Sequence, residues 1–130
     1  MSDPLLVDTN VILDLYHRRF SPEQEAKIKE ILEGEQYAIS VVNKIELLGY
    51  PELLPDEIAF LTKVIGKATI IPLSDEIAEK AIELKQVKRI KLPDAIIAAT
   101  AIIYGAKVLT RNTKDFENLP GLTYIDPHEH

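Results

Sequence analysis

Five short apolar segments recur along this chain, Leu5-Leu6-Val7, Tyr37-Ala38-Ile39, Thr69-Ile70-Ile71, Lys107-Val108-Leu109 and Thr123-Tyr124-Ile125, and helical patterns fill the intervals between them. Segments this short and this apolar read as strands buried on both faces, and a helix after each strand carries the chain back to start the next one parallel. The alternation predicts an α/β fold with a central, mostly parallel sheet of about five strands flanked by helices.

The helices carry their own start and stop signals. Ser21-Pro22-Glu23-Gln24 combines a capping serine, a proline at the first helical position and a capping-box glutamine, ahead of Ile28, Ile31 and Leu32 on one face and Gly34 beyond. Ser40 can cap a helix through Leu47. Pro55-Asp56 opens one carrying Ile58, Leu61 and Ile65, and Ser74 opens one carrying Ile77, Ala81 and Leu84. Pro93-Asp94 starts the most apolar helix, Ala95 to Tyr104, which Gly105 should terminate. A short helix, Val11 to Tyr16, follows the first strand. The prolines Pro51 and Pro55 mark a helix–helix connection. With 130 residues and no repeat, low-complexity tract or Gly/Ser linker, the expectation is one domain over residues 1–126 and a flexible tail at 127–130.

Composition narrows the chemistry. The chain has no cysteine, so disulfides, thiolate catalysis and cysteine-based zinc sites are excluded, and carboxylates, three histidines and other oxygen donors remain for any metal. That favours hard cations. Met1-Ser2-Asp3-Pro4 has no basic region, and the longest apolar run is too short for a bilayer, which needs about 20 such residues, so a cytoplasmic protein without membrane association is expected. A net charge of −6 argues against holding nucleic acid by bulk electrostatics. It does not exclude an RNA substrate, because a carboxylate cluster that binds Mg²⁺ or Mn²⁺ reverses the local sign of the field.

In open parallel sheets, ligands bind beyond the carboxyl ends of the strands, so polar residues just after strand segments are the ones to inspect. Asp8 closes the first segment, where it equally suits capping of the helix behind it. Glu46 interrupts the apolar run Ile45-Glu46-Leu47-Leu48, a position that also fits an exposed helix face. Asp94 stands at the start of a helix apolar nearly all round; such a helix is buried, so Asp94 should lie at the floor of a cleft. Asp115 falls in the polar stretch Thr110-Arg111-Asn112-Thr113-Lys114-Asp115 after the fourth strand, with Phe116 available as an anchor. Four converging carboxylates raise one another's pKa unless a cation intervenes, and oxygen-only ligands select Mg²⁺ or Mn²⁺. Such ions activate water and stabilise charge on a scissile phosphate, which makes phosphodiester hydrolysis the natural reaction.

The segments Val7-Asp8-Thr9-Asn10-Val11, Ile45-Glu46-Leu47, Leu92-Pro93-Asp94-Ala95-Ile96-Ile97-Ala98-Ala99-Thr100-Ala101 and Leu109-Thr110-Arg111-Asn112-Thr113-Lys114-Asp115-Phe116 together resemble the PIN domain, and most closely its VapC-like toxin branch. The resemblance spans almost the whole chain, with the motifs in the family's order. It implies a Rossmann-like fold and a Mg²⁺- or Mn²⁺-dependent RNA endonuclease of a toxin–antitoxin pair, a homodimer with a small cognate antitoxin as partner. Carried over residue by residue, it makes Asp8, Glu46, Asp94 and Asp115 the catalytic, metal-holding acids, directly or through water. Asn10, Thr110 and Asn112 become groups that support those acids or orient substrate. Many members have an acid at the position of Asn112, so this chain supplies less charge to a second metal position.

Arg18, Arg19, Lys44, Arg111 and Lys114 lie near the proposed active edge in sequence and are candidates to steer RNA phosphates towards the metal, Arg111 and Lys114 foremost. Lys88-Arg89-Ile90-Lys91 reads first as a solvated loop. His17 sits at a helix end, where a cation is favoured, and His128-Glu129-His130 is terminal; neither is assigned a role. No phosphate-binding glycine loop is present. Two alternatives to the toxin reading remain open: a PIN nuclease in RNA processing, or a non-catalytic acidic pocket that receives a basic peptide. A phosphotransferase with Asp8 as nucleophile is weaker, since Asn10 stands where that class wants a second acid.

Overall fold

The computed structural model describes residues 4–34 and 36–127. The chain runs β1 (Leu5–Val7), α1 (Thr9–Tyr16), α2 (Pro22–Glu33), β2 (Tyr37–Ser40), α3 (Val41–Leu48), α4 (Pro55–Lys67), β3 (Thr69–Ile71), α5 (Asp75–Val87), α6 (Leu92–Tyr104), β4 (Lys107–Leu109), α7 (Thr113–Phe116) and β5 (Thr123–Ile125). All five strands pair parallel in the order β3-β2-β1-β4-β5, so the fold is α/β. The register sets Leu5 beside Tyr37 and Lys107, and Val7 beside Leu109.

Alternation along each strand builds two cores. Leu6 and Val108 face a layer made with α5, α6 and Phe116, whereas Val7, Ile39 and Leu109 face a layer made with α1, α2, α3 and α4. Helix α6 is sunk into the first layer, with Ala95 through Ala101 all buried, as its unbroken apolar sequence requires. Its one polar residue there, Thr100, returns its hydroxyl to the Ile96 carbonyl at 2.7 Å. Gly105 ends the helix in the left-handed region at φ 65°, which a residue with a Cβ adopts only under strain. At α2 the expected capping box is present in full between Ser21 and Gln24.

Strand order reverses between β1 and β4: β2 and β3 build outward on one side, β4 and β5 on the other. Helices leave those central strands to opposite faces, which opens a crevice at their carboxyl ends. Val7 and Leu109 therefore deliver Asp8 and Thr110 side by side into it. Helix starts differ from expectation in three places, the first being α1, which begins at Thr9 and not at Val11. α6 begins at Leu92, which puts Asp94 in its first turn, and the polar stretch after β4 contains a helical turn, α7, too short to show periodicity. Among the described residues no helix is long and apolar enough to cross a membrane. Of the expected tail, Pro127 is buried, and 128–130, with His128, Glu129 and His130, lie outside the described residues.

Candidate active site

Asp8 continues the sheet by one residue, its backbone N–H donating to the Leu109 carbonyl at 3.0 Å, and its side chain is buried. Oδ1 accepts from the Thr9 N–H at 2.8 Å and from Asn43 Nδ2 at 3.3 Å; Oδ2 accepts from the Thr110 hydroxyl at 2.8 Å and from Asn10 Nδ2 at 3.2 Å. Asp8 is thus both the N-cap of α1 and the hub of a polar cluster. Burial pushes its carboxyl above the usual range and Glu46 adds to the rise, while Thr110, Thr9 and Asn43 oppose it without reversing it.

Glu46 is brought in by α3. Its Oε1 accepts from the Thr9 hydroxyl at 3.1 Å and from Asn43 Nδ2 at 3.3 Å. Asn43 lies one turn earlier on the same helix face, fully buried, and its Nδ2 also reaches the Thr9 hydroxyl at 2.6 Å. Two carboxylates around Nδ2 fix the amide orientation and turn Oδ1 away as a buried acceptor without a protein donor. Asn43 was not foreseen. Its signal in the sequence is a polar residue three positions before Glu46, on the same face of a mostly apolar helix.

Asp94, half-buried in the first turn of α6, has its pKa raised to about 6, by burial first, then by the charges of Asp8, Asp115 and Glu46, and by a hydrogen bond with Asp115. The other three acids named from sequence, distant along the chain, are therefore near enough for their charges to act on Asp94. Asp115, on α7, also receives Asn112 Nδ2. The Thr110 hydroxyl accepts the Asn112 N–H at 3.0 Å while donating to Asp8, so a single buried side chain ties the α7 loop to β1.

Asp8, Glu46, Asp94, Asn10 and Asn112 line a cleft of about 500 Å³; Asp115, hydrogen-bonded to Asp94, is not among the lining residues. Arg111 and Arg19 share a wall of the cleft with Asp14. Lys114 is exposed, and its carbonyl, with that of Glu117, accepts from Lys88 Nζ at 2.7 and 2.8 Å. The basic run before Asp94 is thus partly structural. Arg18 pairs with Glu25 at 3.7 Å, and His17 packs edge-on to Tyr16.

All the converging donors are oxygens, the set that hard cations take. Among the described residues no three acidic or histidine side chains are closed around one point at ligating distance. The donor set fits an ion that keeps much of its water and takes only a few carboxylates, as Mg²⁺ does, better than a fully protein-caged ion. A cation here would offset the repulsion among the acids, which adds to the effect of burial on Asp94.

An α/β domain with carboxylates gathered at the switch point of a parallel sheet belongs to the ligand-binding class of open sheets, here with a pocket suited to a hard cation. The PIN-domain profile matches residues 5–122, and the chain belongs to the PIN-domain family. It is 32% identical over 132 residues to Ribonuclease VapC of Rickettsia bellii, covering 93% of this chain and 94% of that protein. Ribonuclease VapC1 of Rickettsia felis is 30% identical over 131 residues, with the same coverage. Among solved structures, a toxin–antitoxin complex from Klebsiella pneumoniae superposes with a TM-score of 0.73 at 34% identity, covering 95% of this chain and 97% of that one. DNA-bound VapBC from Salmonella typhimurium superposes at 0.79 over 97% and 99%, and at 21% identity it shows the fold alone.

Proposed function

We propose that this chain is a Mg²⁺- or Mn²⁺-dependent endoribonuclease, the toxin of a toxin–antitoxin pair, acting in the cytoplasm as a homodimer and held inactive by a small cognate antitoxin. The observation that carries the reading is the confluence at Asp94, a half-buried carboxyl raised to about 6 by burial first and then by the charges of Asp8, Asp115 and Glu46. Family membership and the names of the relatives supply the substrate class and the partner.

Asp8 and Asp94 would hold the cation, with Glu46 and Asp115 joining directly or through water. When bound, the ion supplies an activated water and positive charge at the scissile phosphate. The chain's own contribution is preorganisation: Thr110, Asn10, Asn43 and the Thr9 N–H fix both oxygens of Asp8. Asn43 and Thr9 hold Glu46 at the cleft, and Asn112 fixes Asp115 beside Asp94.

The test is cleavage of cellular RNA by the purified chain with Mn²⁺ and with EDTA, followed by sequencing of the cut ends. Discrete Mn²⁺-dependent cuts that vanish in Asp94→Asn and Glu46→Gln, both folded, support the assignment. Metal-independent cutting, or cutting undiminished in both variants, overturns it. For the partner, the product of the adjacent reading frame should co-purify with the chain and suppress the cuts.

A further inference from the structure

One cluster on the cleft wall has a different electrical character from the acidic floor. Asp14, on α1, is a buried carboxylate only 1% exposed, and two arginines converge on it: Arg111 Nε lies 3.1 Å from Oδ2 and Arg19 Nη1 lies 3.5 Å from Oδ1. Both backbones are also pinned. The Arg111 N–H donates to Asn10 Oδ1 at 3.1 Å, and the Arg19 N–H donates to the Asp14 carbonyl at 2.9 Å. The reversal after α1 that brings Arg19 back is made by Arg18 in the left-handed region, at φ 56°.

A buried ion pair is a poor device for stability, since an apolar group of like size does as well; what it fixes is geometry. Here the carboxylate orients each guanidinium from one side while the arginine side chains stay 46% and 60% exposed at the cleft. The three charges sum to +1, in a chain whose net charge is −6. Two planar forks, braced and partly desolvated, suit an oxyanion, and their rotamer entropy is already spent before a ligand arrives. The acidic floor and this cationic wall line the same cleft, so an RNA strand with one phosphate at the acids brings a neighbouring phosphate within the arginines' reach.

We propose that Arg19 and Arg111, braced by the buried Asp14, form a subsite for a backbone phosphate of the RNA strand flanking the scissile one. This rests on the ribonuclease reading above and adds to it a positioning role for Asp14 and a binding role for Arg19.

The test uses a fluorescent single-stranded oligoribonucleotide and the cleavage-silent Asp94→Asn chain in EDTA, with affinity read by anisotropy across a salt series. Adding Arg19→Gln should weaken binding roughly tenfold. It should also make the slope of log affinity against log salt shallower by about 0.7, the value for one lost phosphate contact on a single strand. Arg19→Lys, which keeps the charge, should restore the slope, and Lys27→Gln, on α2 in a separate pocket with Leu5 and Lys107 at the amino ends of β1 and β4, should leave it unchanged. In the otherwise wild-type chain with Mn²⁺, Arg19→Gln should raise KM for RNA. An unchanged slope and KM in Arg19→Gln, or an equal change in Lys27→Gln, overturns the subsite while RNA cleavage by the wild type keeps the nuclease reading intact. A wild-type chain that neither cuts nor binds RNA overturns both.

Discussion

Thr110→Val isolates the contact that joins the two central strands at the site. Thr110 is fully buried, and its hydroxyl is the donor that most strongly opposes the rise of the Asp8 carboxyl. Valine keeps the shape and removes that donor, together with the acceptor for the Asn112 N–H. A hydrogen bond to a charged group contributes about 1.5–3 kcal/mol, whereas the Asn112 N–H, on an exposed residue, recovers much of its loss from water. The expected destabilisation at pH 8 without metal is therefore about 2 kcal/mol, or a fall in Tm of roughly 6–8 °C for a chain of this length. The sign with pH follows from Asp8. Its folded-state pKa is already raised, and losing the donor raises it further, so the deficit is full where Asp8 is ionised. It shrinks as pH falls and Asp8 is protonated in both variant and wild type. Urea unfolding at pH 8 and pH 4 in EDTA measures both quantities. A deficit below about 0.5 kcal/mol at pH 8, or the same deficit at both pH values, refutes the reasoning.

Asp94→Asn should stabilise the metal-free protein. A shift from 3.8 to about 6 amounts to about 3 kcal/mol at full weight and roughly half that for a half-exposed group, present above pH 6 and fading as pH falls towards 4. Thermal unfolding in EDTA across that window checks it, and a less stable variant at pH 8 contradicts it. Mn²⁺ at 100 times its Kd should stabilise the wild type by about 2.7 kcal/mol and Asp94→Asn by much less, as read from Tm against Mn²⁺ concentration. Lys88→Gln removes the ammonium that holds the Lys114 and Glu117 carbonyls around α7. RNA cleavage should drop about tenfold through a looser Asp115, while urea unfolding shifts by about 0.5 kcal/mol or less.

The sheet was legible because parallel strands buried on both faces leave unbroken apolar segments, and each of the five strands lies where such a segment stands, to within one residue. Asp94 could be placed at a cleft floor because a helix apolar all round has only its end to offer to solvent. The two readings of Asp8, helix cap and cleft acid, were both correct, and the sequence had no means of showing that they coexist. The network around the acids was less legible. Asn43 meets Asp8 across 35 residues, and Arg111, after β4, meets Asp14 on α1 across a far longer stretch of chain, with no local periodicity to announce either pairing. Thr113–Phe116 read as loop because a single helical turn has no second turn to repeat its pattern. Arg111 was singled out for its position after a strand, yet nothing in its neighbours revealed that its guanidinium is braced by a buried acid.

The account turns on four acids sharing one divalent ion. Anomalous diffraction at the manganese edge from crystals of the chain grown with Mn²⁺ tests this most directly. The predicted result is a peak at about 2.1–2.2 Å from oxygens of Asp8 and Asp94, with Glu46 and Asp115 in the same shell or one water away, and no peak there in Asp94→Asn. A saturated crystal with its manganese elsewhere, or the same peak in Asp94→Asn, contradicts it.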